Sequence, residues 1–267
     1  MSATTVAPMT LDISGTAPIP FARLVRVELR KMFDTRAGMW LIISIAAITA
    51  AVLVIQLAVI LNEGIDADFR DFMAGMNTPM GILLPVLGIM AVTSEWSQRT
   101  AMVTFTLEPS RGRLVAAKFA ATVVIACVAI LVGLVLAMVA NLIYGALSDN
   151  SLVWDIGVAD VFYFFLLHLF GMATGFAFGT LLLNTPAAIV LYFVYSFVLP
   201  GLFELGAQLI GWFADLRPWI DFADAQAPLY EGGITSQEWA YLAVSGLIWL
   251  VIPLAVGIWR VLRAEVK

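Results

Sequence analysis

His168 and Cys127 are the only imidazole and the only thiol in this 267-residue chain, and both stand inside long apolar runs. One thiol forms no internal disulfide, and with a single imidazole beside it the pair falls short of the ligand set of a zinc site. Nucleotide hydrolysis would need a phosphate-cradling G-x-x-x-x-G-K-[ST] loop, and none is present. Intramembrane proteolysis would call for a Ser/His pair, two facing aspartates or a His-rich zinc motif, and no such group is visible. That leaves His168. At about 100° per residue, His168, Gly171, Gly175 and Gly179 share one helical face, a small-xxx-small stripe along which a second helix can approach closely. The stripe reads either as a helix contact with a hydrogen-bonded histidine in it, or as a polar point on a translocation path.

The elements that carry these residues belong in lipid. The chain is 62% hydrophobic and only 12% charged, against about 45–50% and about 25% in soluble domains. Its mean hydropathy is +0.97. Six windows have the roughly 17–25 apolar residues that cross a bilayer: Met39–Leu61, Met76–Ser94, Phe119–Ile143, Val161–Leu183, Pro186–Phe203 and Trp239–Trp259. The second holds Pro85, which kinks a membrane helix without excluding one. Asn184 and Thr185 before Pro186 make a tight hairpin between the fourth and fifth.

The net charge of -5 conceals a sorting by side. Arg23, Arg26, Arg30, Lys31 and Arg36 precede the first span. Arg99, Arg111, Arg113 and Lys118 separate the second and third, and Arg260, Arg263 and Lys267 follow the sixth. The alternate loops are acidic and hold only Arg70 and Arg217. Basic loops stay in the cytoplasm, so six spans of a cell membrane with both termini in the cytoplasm are expected. The fold class expected is an all-α membrane protein with an N-terminal amphipathic interfacial helix. Its parts are a disordered cytoplasmic tail over 1–19, the amphipathic helix over 20–37, a transmembrane domain over 38–260 and a cytoplasmic tail over 261–267. Within the domain lie a cytoplasmic loop over 95–118 and an outer loop over 204–238.

The amphipathic helix is read from Phe21, Leu24, Val25, Leu29, Met32 and Phe33 on one face. Arg23, Arg26, Arg30, Lys31 and Asp34 lie on the other. In the loop, the second span leaves the membrane at Glu95. A short helix over Ala101–Leu107 follows that is expected to expose apolar Met102, Val103 and Phe105 on the cytoplasmic side, Pro109 stops it, and Ser110 is placed to cap the third span. The six windows contain no Lys, Arg, Asp or Glu, whereas ion-driven carriers place such groups near mid-membrane. Either the chain is passive or its energy comes from another subunit.

This order of features resembles the permease subunits of type-2 ATP-binding-cassette exporters: a basic amphipathic helix, a glutamate closing span two, a short helix, a Pro-Ser-Arg turn and a lysine entering span three. Arg99-Thr100 stands where that family commonly has Gly-Thr, and Val103–Leu107 replaces a leucine-rich stretch. The resemblance implies a dimer with a second permease copy or homologue, and two ATPase subunits that hold the ATP and magnesium. This chain would carry no cofactor, no metal and no catalytic residue, and no nucleic-acid partner is expected. Arg99–Leu107 would be the coupling helix, with Glu95, Arg99, Thr100, Met102, Val103, Phe105 and Arg111 as its working residues, and Glu204–Trp219 an outer cap. The aromatic runs Phe162–Phe165 and Tyr192–Phe197 favour an amphipathic or hydrophobic cargo. Two other readings fit the sequence: a membrane scaffold or assembly factor, and an intramembrane enzyme using His168.

Overall fold

The computed structural model describes residues 19–148 and 152–264. The tail expected over 1–19 falls outside them except for Ile19, as do residues 265–267 at the other end. Among the described residues the chain is helical with no strand, and six helices are long and apolar enough to cross a membrane.

Helix α1 (Phe21–Asp34) leads through Thr35, whose side chain accepts from the Gly38 amide, into the first span, α2 (Arg36–Glu63). A short helix, α3 (Phe69–Gly75), opens with an Asp68/Asp71 capping box and precedes α4 (Asn77–Ser97). Tyr144 Oη donates to the Ile65 carbonyl (3.2 Å) and accepts from the Ala67 amide (3.2 Å), which pins the α2–α3 turn. Helix α5 (Ala101–Leu107) then leads to α6 (Arg111–Leu147). With 37 residues, α6 spans roughly 55 Å at 1.5 Å per residue, well beyond a hydrocarbon layer of about 30 Å.

Helix α7 (Val158–Leu182) turns at Leu183, in left-handed backbone, and Asn184 Oδ1 caps α8 by accepting from the Ala187 amide (3.0 Å). Helices α8 (Thr185–Leu209) and α12 (Ser236–Arg263) run further than their windows and each contains a π-helical segment, Val194–Val198 and Leu247–Val251. Both segments end two residues before a proline, Pro200 and Pro253. A proline supplies no amide to the preceding turn and its ring crowds the carbonyl there, so the widened turn relieves the clash. Tyr195 and Trp249, one from each π segment, pack with ring centroids 5.1 Å apart. Between α8 and α12 lie α9 (Gly211–Ile220), α10 (Phe222–Ala225) and α11 (Ala227–Tyr230). Helix α12 continues to Arg263 with Val261 buried.

Helix α7 is the axis of the bundle: 56% of its apolar window is buried, against 11% for α8. Its chief neighbour is α4. A methyl group on Gly175 would lie 2.2 Å from the Pro85 carbonyl oxygen, and one on Gly88 of α4 would lie 2.3 Å from that of Met172. Only hydrogen fits at these crossings. Pro85 leaves the Gly81 carbonyl without its usual helical donor, and the Tyr192 hydroxyl of α8 takes that role at 3.2 Å.

The two basic residues that break the charge sorting are each neutralised at the acidic end. Arg70 pairs with Asp160 at 2.9 Å. Arg217 pairs with Asp221 (3.3 Å), Asp224 (3.0 Å) and Glu204.

Candidate coupling site

At the basic end of the bundle, α4 ends in a left-handed cap. Arg99 has φ 56°, the Thr100 amide donates to the Glu95 carbonyl (2.9 Å) and the Arg99 amide to that of Trp96 (3.2 Å). This is the Schellman pattern, in which glycine is favoured at the left-handed position. A physical reason for Gly where Arg99 stands is therefore on view. Arg99→Gly is expected to raise the melting temperature of the purified protein, relieving about 1 kcal/mol of backbone strain. Arg99→Val should lower it.

Helix α5 places its apolar residues on two sides. Met102, Val103 and Leu107 are exposed. Phe105 is turned back onto the bundle, with its ring 6.0 Å from that of Trp96 and the Arg111 guanidinium 4.6 Å from its centroid. Phe105 thus departs from the expected exposed face, which Leu107 completes instead. Glu108 is extended ahead of Pro109, as a residue before proline prefers. Ser110 occupies the N-cap position of α6 but makes no side-chain cap; its amide donates to Glu108 Oε1 at 3.3 Å. Arg111 does more than begin α6. Its Nη1 donates to the carbonyls of Val261 (3.1 Å) and Ala264 (2.8 Å), capping the end of α12. The stack Trp96–Phe105–Arg111 therefore ties α4, α5, α6 and α12 together.

Behind α5 lies a charged junction. Lys118 Nζ bonds Glu28 Oε2 (2.6 Å) and Glu95 Oε1 (2.8 Å), and Lys31 Nζ bonds Glu28 Oε1 (2.7 Å) and the same Glu95 oxygen (2.8 Å). The side chains of Lys118 and Glu28 are only 7% and 6% exposed. Such burial is tolerated when each ion is matched and hydrogen-bonded. The stripe of α1 facing the bundle is thus Leu24, Glu28 and Lys31, a rotation of the face read from apolar residues alone; Phe21, Val27 and Phe33 are exposed. Burial disfavours the Lys31 ammonium, yet the hydrogen bonds and attraction of Glu28 and Glu95 hold its pKa above the usual lysine value. A raised lysine pKa contributes stability that is complete at and below the ordinary value and fades only as pH climbs through the raised one. The Lys31 contribution is accordingly constant across neutral pH.

The stripe on α7 lies away from this junction. Gly175 and Gly179 sit against the α4 backbone at Pro85 and Ile89, whereas a methyl group on Gly171 would stand an ordinary 3.5 Å from the Pro85 ring. His168 is buried, and its Nδ1 is 2.8 Å from the Phe164 carbonyl one turn back, within its own helix. That carbonyl can only accept, so Nδ1 carries the proton. With Asn77, Thr174, Tyr192 and Gln226, His168 lines a cavity of about 140 Å³ toward the acidic end.

Glu28 was invisible to pattern reading because an acid on an amphipathic helix is normally assigned to its wet face. The available signal was its position, one turn from both Leu24 and Lys31.

No curated protein matches the chain. A family profile described as "ABC-2 family transporter protein" matches residues 24–199, from the bundle-facing stripe of α1 to the π segment of α8. With its six membrane-spanning helices and more than half its length inside that match, the chain belongs to the ABC-2 transporter family as a multi-pass membrane permease.

Proposed function

We propose that this chain is the transmembrane permease subunit of an ATP-driven exporter, working with two ATPase subunits and a second permease. The basic end faces the cytoplasm with both termini, a reading that the arginine and lysine sorting supports. ATP and magnesium belong to the partner, and this chain supplies the pathway. The observation that carries the reading is α5. Its Met102, Val103 and Leu107 are 55%, 61% and 73% exposed at the end where lysine and arginine exclude lipid tails. An uncovered apolar face there calls for a protein partner.

Its opposite side is fastened to the spans through Phe105 and Arg111. A force on α5 therefore reaches α4 at Trp96, α6 at its first residue and α12 at its last turn. Glu95, held by two lysines, ties the same movement to α1. The outward face of α8, largely unburied, is available to lipid or to the second permease.

Val103→Asp is expected to reduce co-purification of the ATPase subunit at least tenfold while leaving the melting temperature of the permease unchanged, since an exposed charge costs the free chain little. Undiminished complex yield with Val103→Asp and with Met102→Asp would remove α5 as the docking element.

A further inference from the structure

The charged junction forms the floor of a cavity of about 300 Å³ that opens between α1/α2 and α4/α5. Its walls are apolar, with Met32 and Leu41 on one side and Leu87 and Met90 on the other. Val103 and Thr104 of α5 close the end nearest the exposed coupling face. Two carboxylates and two ammoniums meet on the floor, so their charges cancel. They do not exhaust one another. Each ammonium has three donors, and Lys31 Nζ spends two of them, on Glu28 and Glu95. Both lysines use the same oxygen of Glu95, whose Oε2 carries no hydrogen bond among the described residues.

We infer that this cavity binds a net-neutral amphiphile, its head at Lys31 and Glu95 and its chain along Leu87 and Met90. An anion or cation would enter a partly desolvated site whose charges already balance, and would bring an uncompensated charge with it. A zwitterionic head offers an acceptor to the free Lys31 donor and a donor to the free Glu95 oxygen. The apolar walls take the chain by the ordinary gain of about 25 cal/mol per Å² removed from water. The cavity lies where α2 begins and α4 ends, at the boundary of the spans, so such molecules reach it from the leaflet. The inference rests on the proposed orientation, which makes this the cytoplasmic leaflet. Because Val103 and Thr104 line both the cavity wall and the coupling helix, occupancy is sensed at α5 by direct contact.

The test uses the full-length protein in nanodiscs containing phosphatidylcholine with a diazirine in its acyl chain. Photolysis and peptide mass spectrometry then locate the label. Expected is labelling of Leu87 and Met90 well above that of bilayer-exposed Val54 per lipid, lost on Met90→Trp, which fills the cavity, and at least tenfold weaker with the phosphatidylglycerol analogue. Label confined to exposed positions such as Val54, or equal labelling by the anionic lipid, overturns the inference. Leu41→Trp, at a partly buried position on the opposite wall, serves where Met90→Trp fails to fold. This arm needs no ATPase, so it fails independently of the proposed function. In the assembled complex, a label that falls when ATP is added marks the occupant as cargo. A label indifferent to ATP marks a resident lipid held by the same chemistry.

Discussion

Lys118→Met is expected to destabilise the protein by about 3–5 kcal/mol, the usual cost of removing one partner from a buried ion pair. The lysine has 7% of its side chain exposed and is the only cation that α6 offers to Glu28 and Glu95. Without it, Lys31 alone faces two carboxylates, and α1 loses its charged attachment to α6. The effect should appear as a lower melting temperature in detergent and as faster proteolysis of α1. Removing charges in pairs behaves differently. Glu28→Leu combined with Lys118→Met leaves one lysine and one glutamate, so the double variant should lose much less than the sum of the single losses. Additive losses would show that the four groups act separately, and a loss under about 1 kcal/mol for Lys118→Met would show that water already screens the junction.

Gly175→Ala is expected to cost about 1–3 kcal/mol although it adds a single methyl group. That methyl would meet the Pro85 oxygen at 2.2 Å and its carbonyl carbon and Cα at 2.7 Å. These are backbone atoms, which move only if the helices part. The other glycines of the stripe grade the effect. Gly179→Ala meets Ile89 backbone at 3.0–3.1 Å and should cost less, and Gly171→Ala finds an ordinary contact at 3.5 Å and should be close to neutral. Melting curves in the order Gly175, Gly179, Gly171 would fix the α4–α7 crossing. Equal tolerance at all three positions would mean that the helices cross elsewhere.

The spans were legible because lipid imposes a simple rule: runs of 17–25 residues without a charge have one stable home. The proline-linked π segments were not, since a proline announces a disturbed turn without saying whether the helix kinks, widens or stops. The segment over residues 95–118 was legible in order but not in rotation. Seven residues of α5 give too few turns for a periodic pattern to decide which of Val103 and Phe105 faces the bundle. The choice is made by partners distant in sequence or across a turn, Trp96 and Arg111, whose ring and guanidinium flank Phe105. Glu28 was missed for the converse reason. A buried carboxylate is costly alone, and the lysine that makes it tolerable stands 90 positions away. The four-charge junction exists only once α1, α4 and α6 are together.

Site-specific photocrosslinking tests directly whether α5 is the surface that an ATPase grips. With p-benzoylphenylalanine in place of Val103, irradiation of membranes should give an adduct between this chain and a subunit that itself binds ATP, identified by its nucleotide-binding peptides. The same group in place of Val54, exposed on α2 at membrane depth, should give none. An intact, ATP-hydrolysing complex in which positions 102, 103 and 107 all fail to crosslink, while a position at the acidic end such as Leu209 succeeds, would contradict both the orientation and the coupling role assigned to α5.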